Sequence, residues 1–458
     1  MPDVISLHAM RDYFNTGVTK TYSFRKQQLE KLKAGVVKYE SAIFAALHTD
    51  LKKSKEECWV TENGFLLTEI SNTLARLKAW MEPEKVKTNL LNQPSSSFIL
   101  SEPLGVVLII SPWNYPFQLL LTPLVGAIAA GNCVVLKSSE FAPATSSVIK
   151  QIIKETFDPG YILFTEGEGS KVVPQLMDKF VFDHVFYTGS TNVGKLIYQM
   201  AAKNLVPVTL ELGGKSPCVV EADADINIAA RRIAMPKFSN AGQMCVAPDF
   251  VLVHSSVKEK LVIEIKNQVK KFFGTDPSSS EDFARIINEK QFDRLIAYLE
   301  QGDILFGGES DRDKLYISPT LMNVTGTNDT IMEDEIFGPI LPIITFSTRE
   351  EALKIVLLQR NPLAFYIFTS SKINEQFWLD NVAFGGGCVN NASWHLTNPH
   401  LPFGGRGFSG TGSYHGKFSF NTFSHKKSIM KTPTWFDPSI KYPPYKGKLK
   451  FFKMLIGK

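Results

Sequence analysis

The sequence contains no run of about 18 uninterrupted apolar residues, so no segment of it is predicted to cross a membrane. Its five cysteines occur without a C-x-x-C pair, which indicates neither a zinc site nor a disulfide framework and suits a reducing compartment. The N-terminal region has no apolar core of the signal-peptide type, and we therefore expect a cytoplasmic protein. The net charge of +5 is too small to indicate a nucleic-acid partner.

What the sequence does contain is the composition of a folded protein. Hydrophobic residues make up 44% and charged residues 21%, which excludes a disordered chain, and 458 residues suffice for two or three domains. Up to about residue 80, apolar residues recur at helical spacing and predict buried helix faces. One stripe consists of Leu29, Leu32, Val36, Tyr39, Ile43 and Leu47, and a second of Leu67, Ile70, Leu74 and Leu77.

From Gly105 onward, short apolar runs alternate with helical segments, as is typical of a parallel sheet covered by helices on both faces. The runs are 106–110, 133–136, 161–164, 184–187 and 206–210. Ligands bind at the carboxyl ends of such strands. Polar motifs follow four of the runs, at 111–114, 137–140, 189–194 and 211–214.

A second α/β domain is predicted after Gly214. Its expected strands are 216–220, 250–254, 341–344 and 363–368, and its expected helices lie near 225–239, 257–273 and 349–358. The polar, Ser-rich segment 91–102 is expected to form a hairpin outside both sheets.

Cys245 and Glu211 are the most informative residues. Cys245 ends the small-residue segment 238–245, and Glu211 belongs to a predicted Gly-rich turn, 211–214. A cysteine that forms a covalent intermediate and a glutamate that activates water can together perform two-step acyl transfer. Taken alone, Cys245 is more simply an ordinary buried cysteine, because free cysteine is among the most buried residue types.

The segment 189–195 reads G-S-T-N-V-G-K and resembles a phosphate-binding loop. The residue after it is Leu196, where a P-loop needs Ser or Thr for magnesium, and the dinucleotide pattern G-x-G-x-x-G fails at Thr191. A P-loop nucleotidase is therefore not indicated. A variant dinucleotide site and a plain strand-to-helix turn both remain open on this segment alone.

The motifs together resemble the aldehyde dehydrogenase superfamily in order and approximate spacing. The C-terminal stretches 409–417 and 420–425, and the short region before the first strand, resemble its class 3 and fatty aldehyde dehydrogenase branch. The motifs that carry the resemblance are 112–114, 137–140, 189–194, 211–215, 242–245, 335–339 and 402–405.

This resemblance implies a role for each matching residue. Cys245 would be the nucleophile, Glu211 the general base, and Asn114, with the Cys245 backbone N–H, the oxyanion hole. Tyr115 and Phe403 would line the aldehyde channel. NAD, with NADP as the alternative, would be held by Lys137, Glu140, Gly189, Ser190, Gly194, Leu212, Gly213, Glu335 and Phe337. No metal is implied.

The resemblance also implies an α/β fold with two doubly wound parallel-sheet domains and a small β oligomerisation extension. Residues 1–85 and 103–211 would form the Rossmann-like cofactor-binding domain, and 212–400 the catalytic domain. Residues 86–102 and 401–440 would be bridging or oligomerisation elements, and 441–458 a basic tail. The expected reaction is NAD(P)-dependent oxidation of aldehydes, medium- or long-chain aliphatic or aromatic, to carboxylic acids. The expected assembly is a homodimer.

Four positions depart from the pattern or vary within it. Ser138 stands where Pro is common and Met244 where Thr is common, and neither replaces a residue that carries chemistry. Gln118 and Trp394 fall in regions that vary with substrate, so the aldehyde itself cannot be named from the sequence.

Two alternative functions share this fold. A CoA-acylating aldehyde dehydrogenase or an acyl-phosphate reductase passes the acyl group to another acceptor and needs no hydrolytic base, so Glu211 argues against both. A catalytically retired scaffold would have lost the cysteine or the oxyanion asparagine, whereas Cys245 and Asn114 are both present.

The tail, residues 441–458, carries six lysines among Leu449, Phe451, Phe452, Leu455 and Ile456. A short basic amphipathic helix can lie on an anionic membrane surface, so peripheral membrane contact is one expectation. A solvated tail, or one docked on its own protein or on a partner subunit, is the simpler interpretation.

Overall fold

The computed structural model describes residues 4–324 and 330–456. Gly457 and Lys458 of the predicted tail therefore lie outside the described residues. The helices are α1 (Val4–Asn15), α2 (Tyr22–Lys38), α3 (Glu40–Leu51), α4 (Lys55–Cys58), α5 (Gly64–Met81), α6 (Gln118–Ala130), α7 (Pro143–Thr156), α8 (Gly169–Lys179), α9 (Thr191–Ala202), α10 (Ile226–Phe238), α11 (Lys258–Phe273), α12 (Glu289–Leu299), α13 (Thr330–Glu333), α14 (Arg349–Leu358), α15 (Lys372–Asn381), α16 (Lys417–Thr422) and α17 (Leu449–Ile456).

The strands are β1 (Glu84–Val86), β2 (Ser96–Pro103), β3 (Val106–Ile110), β4 (Cys133–Lys137), β5 (Ile162–Thr165), β6 (His184–Gly189), β7 (Val208–Leu212), β8 (Pro217–Val220), β9 (Phe250–His254), β10 (Asp303–Phe306), β11 (Ser310–Asp311), β12 (Tyr316–Ile317), β13 (Thr320–Asn323), β14 (Ile340–Phe346), β15 (Ala364–Phe368), β16 (Gly386–Val389), β17 (Gly410–Thr411) and β18 (Ser424–Lys431).

Two mostly parallel sheets organise the molecule, as the apolar runs predicted. The first has the order β17-β7-β6-β3-β4-β5, and only β17 runs antiparallel to its neighbour. The second has the order β10-β13-β14-β9-β8-β15-β16, with β10 antiparallel. The α/β class with parallel sheets is thereby confirmed. Strands β3 and β4 are buried along their whole length, which is why their sequences read as continuous apolar runs.

A third, antiparallel sheet has the order β1-β2-β18. The hairpin predicted within 91–102 is wrong in its bounds, because that segment supplies only β2. Strand β2 pairs with β1, upstream of the predicted segment, and along its full length with β18 from far downstream. Its burial pattern is mostly intermediate on both faces, so alternation alone could not identify its partners.

The first apolar stripe is divided between two helices. Helix α2 ends at Lys38 and α3 begins at Glu40, with Tyr39 between them. The other five residues of the stripe are fully buried, whereas Tyr39 is half-buried and its hydroxyl donates to Glu155 Oε1 at 2.5 Å. The prediction of a buried helix face is confirmed, but the prediction that this face runs without interruption through Tyr39 is wrong.

Strand β7 also differs from its predicted position. The run 206–210 was expected to end before Glu211, but the strand covers Val208–Leu212, and Glu211 pairs with Gly410 of β17 inside the sheet. Glu211 is therefore a strand residue and does not belong to a turn. Among the described helices, none is both long enough and apolar enough to cross a membrane.

Candidate active site

Cys245 follows α10 on a tightly turned loop. Asn240, Ala241 and Gly242 have φ angles of 49°, 50° and 74°, a run of three left-handed residues. A side chain at Gly242 would place its Cβ 2.2 Å from the carbonyl oxygen of Gly338, so only glycine fits there. The loop is fixed by Gln243, whose side-chain amide donates to the carbonyls of Asn240 and Arg285, both at 2.9 Å.

Asn114 lies beside this loop. Its amide nitrogen donates to the carbonyl oxygen of Gln243 at 3.1 Å, and a primary amide has a second N–H to give. The backbone carbonyl oxygen of Asn114 accepts a hydrogen bond from the side-chain amide of Asn240 at 2.8 Å. The loop that carries Cys245 and the segment that carries Asn114 are therefore joined by hydrogen bonds in both directions.

Glu211 is buried, at 3% exposure, and both of its carboxylate oxygens lack a hydrogen-bond partner among the described residues. Burial raises the pKa of this carboxyl well above its ordinary value. A glutamate with a raised pKa can take up a proton near neutral pH, which is the property that a general base requires.

The thiol of Cys245 is half-buried. Burial, and then the neighbouring carboxylates of Glu335 and Glu211, raise its pKa above the ordinary value for cysteine. The free thiol is therefore protonated at neutral pH, and its reaction requires a base that removes the proton.

Cys245 and Glu211 line one cavity of about 970 Å³, its opening to solvent included. Tyr115 and Phe403, the two residues expected to form an aldehyde channel, line the same cavity, as do the variable positions Gln118 and Trp394. Most of the remaining lining is apolar: Val60, Phe65, Leu119, Met235, Pro236, Met244, Val246, Leu363 and Leu396. The pocket suits an apolar substrate that enters with its reacting end directed towards the thiol of Cys245.

Lys137 and Glu140 lie at the carboxyl end of β4, near the beginning of α8. The Lys137 ammonium donates to Glu140 Oε2 at 3.2 Å, and Gly169 N donates to Glu140 Oε1 at 2.9 Å. Burial alone would raise the pKa of Glu140, but the hydrogen bonds from Gly169 and from its own backbone, with the charge of Lys137, hold this pKa below its ordinary value. Glu140 is thus a carboxylate at neutral pH.

The glycine-containing loop joins β6 to α9. Gly189 ends the strand, Ser190 precedes the helix, and Gly194 lies in its first turn, where an added Cβ would approach Leu212 Cδ2 to 2.6 Å. Ser190 has no side-chain capping bond. The close packing of α9 on β7 and an uncapped helix N-terminus suit the binding of a pyrophosphate.

Glu335 and Phe337 come from the segment between α13 and β14. An added Cβ on Gly213 would lie 1.8 Å from Glu335 Oε2, so this carboxylate approaches the backbone after β7 closely. Phe337 packs edge-on against Trp113 with ring centroids 5.3 Å apart. The two predicted groups of cofactor residues therefore lie at the carboxyl ends of the first sheet, and the residues present there fit a dinucleotide.

Other residues around the site were missed in the sequence. Thr188, Phe65 and His415 also line the cavity. Thr188 could have been found, because it lies at the carboxyl end of a predicted strand, directly before the glycine loop. Lys53 and Glu62 lie behind Asn114. Nothing in the sequence pattern indicates this position, because single charged residues in a helical region normally face solvent. Within the described residues, no group of His, Cys, Asp and Glu is arranged to hold a metal ion.

The chain is similar to aldehyde dehydrogenases over nearly its whole length. The model of the "Aldehyde dehydrogenase family" matches residues 7–429. The 4,4'-diaponeurosporen-aldehyde dehydrogenase of Staphylococcus aureus is 48% identical over 96% of both chains. Aldehyde dehydrogenase family 3 member H1 of Arabidopsis thaliana is 44% identical over 98% of this chain and 93% of its own. A solved structure, "Substrate bound state of Staphylococcus Aureus AldH", has a TM-score of 0.97 at 46% identity and covers 99% of both chains.

Proposed function

The chain belongs to the aldehyde dehydrogenase family and oxidises aldehydes to carboxylic acids with NAD(P), and we propose that Cys245 is the nucleophile, Glu211 the general base and Asn114 the oxyanion donor of this reaction. The observation that carries the proposal is the shared cavity. The thiol and the carboxylate of Glu211, whose two oxygens lack a partner among the described residues, line the same apolar cavity. Asn114 does not line this cavity, but its amide is hydrogen-bonded to the loop that carries Cys245 and has a second N–H to give.

The first half-reaction forms a bond between Cys245 Sγ and the aldehyde carbon. Glu211 accepts the thiol proton, because the raised pKa of Cys245 keeps the free thiol protonated. The aldehyde oxygen becomes negatively charged and accepts hydrogen bonds from Asn114 Nδ2 and the Cys245 backbone N–H. Removal of one such donor typically costs ~10²–10³ in rate. NAD(P), when bound, supplies the hydride acceptor that turns this adduct into a thioester.

The second half-reaction hydrolyses the thioester. Glu211, after its first proton has passed to solvent, takes a proton from a water molecule, the water oxygen attacks the thioester carbon, and the carbon–sulfur bond breaks. The carboxylic acid leaves, and the Cys245 sulfur takes the proton from Glu211, which regenerates the free thiol. Burial of Glu211 supports this role, since a raised pKa makes its ionised form a stronger base than an exposed glutamate.

The Glu211→Gln variant tests the proposal. If Glu211 mainly activates the deacylating water, the variant should release about one reduced cofactor per active site and then stall. A weakened burst would show that Glu211 also deprotonates Cys245. Cys245→Ala is the matched control and should give no burst while it still binds the cofactor.

Two outcomes would contradict these assignments. Turnover of Glu211→Gln at the wild-type rate would make Glu211 a structural residue of β7. Restoration of turnover by free CoA, with water unable to support it in the unmutated enzyme, would favour the acylating alternative.

The cofactor-binding residues are proposed in two groups. Lys137 and Glu140 would hold the adenine-side ribose, and Gly189, Ser190 and Gly194 would approach the phosphates. Leu212, Gly213, Glu335 and Phe337 would contact the nicotinamide end. We propose NAD as the preferred cofactor, because the charged Glu140 favours two ribose hydroxyls over a 2′-phosphate.

The substrate that we propose is a medium- or long-chain or aromatic aldehyde. The support is the apolar lining of the cavity. The relative named for 4,4'-diaponeurosporen-aldehyde agrees with a large apolar substrate. A series of straight-chain aldehydes should show the specificity constant rising with chain length, and a decrease with length would refute the assignment.

We propose a cytoplasmic homodimer in which 86–102 and 401–440 contribute to the contact between subunits, because β18 forms a solvent-exposed edge of the third sheet. We propose the domain limits 1–85 with 103–211, and 212–400, because β3 to β6 of the first parallel sheet fall within the former and every strand of the second parallel sheet within the latter. Contact of the tail with an anionic membrane surface is the remaining proposal.

A further inference from the structure

A fully buried ion pair lies behind Asn114, outside the substrate cavity. The side chains of Lys53 and Glu62 are 0% exposed, and Lys53 Nζ is 2.8 Å from Glu62 Oε1. Lys53 follows α3, and Glu62 lies on a π-helical turn, Trp59–Asn63, that precedes α5. Turns of this kind are frequent at functional sites.

The Lys53 ammonium makes two hydrogen bonds and one contact with an aromatic ring. One N–H goes to Glu62, and another goes to the carbonyl oxygen of Asn114 at 3.1 Å. The ammonium also lies over the ring of Tyr115, 3.9 Å from its centroid, which is a favourable cation–π distance. Lys53 thus contacts both the oxyanion residue and the adjacent channel residue.

Glu62 fixes the other end of the same segment. Its second oxygen, Oε2, accepts the backbone N–H of Gln118, the first residue of α6, at 2.9 Å. The ion pair therefore bonds to the main chain at both ends of residues 114–118. This leaves the segment little freedom to move relative to Cys245, because Asn240 holds the Asn114 carbonyl from the opposite side.

Stability alone does not explain this arrangement. Two charges removed from water lose hydration that their attraction seldom exceeds, and replacement of a buried pair by uncharged groups is often neutral or stabilising. The pair does, however, impose a defined geometry on the peptide that carries Asn114. A misplacement of about 1 Å near a reacting centre can cost ~10²-fold in rate.

We propose that Lys53 and Glu62 are positioning residues that hold Asn114 in the geometry needed for oxyanion stabilisation. The inference rests on the proposed role of Asn114. It assigns no chemical step to Lys53 or Glu62, which act through the peptide of Asn114 and the N–H of Gln118.

The test is a double-mutant cycle between the pair and Asn114. Lys53→Met replaces the ammonium by an apolar side chain of similar length, and Glu62→Gln keeps an oxygen for Gln118 N–H without an unpaired charge. The combined variant should fold and bind NAD normally, and its pre-steady-state burst should be ~10–100-fold slower than that of the wild type. In an Asn114→Ala background the same two changes should slow the burst less than ~3-fold, because coupled effects are not additive.

Arg25→Met provides a matched control. Arg25 is another buried cation that donates to backbone carbonyls, those of Thr19 and Ala129, and it makes no contact with the described site. This variant should lower the thermal midpoint without slowing the burst.

Equal slowing in both backgrounds, or no slowing in the wild-type background, would overturn the proposal. If Asn114→Ala alone keeps the wild-type burst rate, the oxyanion assignment fails and the positioning role falls with it. The burst rate of the Asn114→Ala single variant therefore distinguishes failure of the oxyanion assignment from failure of the positioning role alone.

Discussion

At the scale of single residues, Cys245 and Glu211 have opposite requirements for the same proton. Both pKa values are raised, chiefly by burial, so the Cys245 thiol holds its proton in the free enzyme, and the ionised form of Glu211 is a stronger base than an exposed glutamate. A neutral thiol protects Cys245 from indiscriminate reaction, because the thiolate is the reactive form. The thiol proton must then leave when substrate is in place, and the carboxylate of Glu211, which lines the same cavity, is our candidate for its acceptor.

The rate at which the free enzyme is alkylated measures how much of the Cys245 thiol is ionised. A raised pKa means that the thiolate fraction is small at pH 7 and grows about tenfold per pH unit until the pKa is reached. We expect the rate of iodoacetamide labelling at Cys245 to increase from pH 7 to pH 9 without a plateau. The measurement is the mass shift of the Cys245 peptide over time. A plateau already at pH 7 would mean that the free enzyme holds a preformed thiolate.

Glu140 determines the choice of cofactor in our interpretation. Its carboxylate is kept charged by the backbone N–H of Gly169 and by Lys137. We expect Glu140→Gln to raise the ratio of the NADP to the NAD specificity constant by roughly tenfold, since one repulsive charge worth ~1.4 kcal/mol is removed from the 2′-phosphate. Steady-state kinetics with both cofactors give this ratio.

The matched control is Glu166→Gln. Glu166 is an exposed carboxylate that pairs with Lys150, so its removal changes the net charge equally at a position outside the proposed cofactor contacts. An equal shift in the ratio for both variants would contradict a specific role of Glu140.

At the scale of elements, the loop between α10 and Cys245 is the most constrained segment of the site. Its three consecutive left-handed residues are unusual, because each non-glycine residue in this region costs roughly 1–2 kcal/mol. Such strain persists only where the surroundings fix the backbone. Here Gln243 and Asn240 supply those contacts, and Glu57 Oε1 accepts the Asn240 N–H at 2.7 Å.

Gly242→Ala should therefore disrupt the site. An added methyl would collide with the Gly338 carbonyl, so the loop must move and carry Cys245 with it. We expect a loss of burst rate of at least ~10²-fold, together with a lower thermal midpoint.

Gly274→Ala separates the collision from the backbone cost. Gly274 has a similar φ of 80°, but an added Cβ meets nothing within 4 Å. Its ψ of −174° places it in a region nearly exclusive to glycine, so this variant should lose ~1–3 kcal/mol of stability and keep its burst rate. Similar activity losses in the two variants would refute the argument.

The elements also show what the sequence could predict. Continuous apolar runs identified strands β3 to β7 of the first sheet and the central strands β8, β9, β14 and β15 of the second, because a strand covered on both faces has no polar positions to confuse the pattern. The strands β10, β13, β16 and β17 were not predicted. The same rule placed Glu211 wrongly, since a polar residue at the end of a buried run was taken as the end of the strand. Lys53 and Glu62 were not predicted, because the contact of Lys53 with Asn114 and that of Glu62 with Gln118 depend on a π-helical turn and on tertiary packing, and neither leaves a periodic signal in the sequence.

At the scale of the whole molecule, the C-terminal region is the part that packs least against the rest of the protein. Helix α17 exposes Leu449, Met454 and Ile456 at 64%, 61% and 66%. Lys450 and Lys453 on the same helix are also exposed. Apolar side chains beside several lysines are the combination by which a short helix lies on an anionic lipid surface. Lys448 instead donates to the carbonyls of Tyr442 and Ser439, and so helps to fold the tail on itself.

The tail proposal predicts cosedimentation of the full-length protein with vesicles. We expect binding to phosphatidylcholine vesicles that contain about a third phosphatidylserine, and little binding to phosphatidylcholine alone, because each lysine near an anionic surface contributes ~1 kcal/mol. A version that ends at Ile440 should stay in the supernatant and keep its activity towards a water-soluble aldehyde. Salt should release the full-length protein, since the electrostatic part is screened within about 10 Å at 0.1 M.

Two variants separate the charge of the tail from its apolar contacts. Lys450→Glu with Lys453→Glu should abolish the preference for phosphatidylserine, and Met454→Asp should weaken binding while the salt dependence persists. Helix α17 would then act as a reversible anchor that brings the cavity close to aldehydes dissolved in a membrane. Equal sedimentation of the full-length and shortened proteins would leave the tail as solvated or docked structure. Substrate access would then depend on the cavity opening alone.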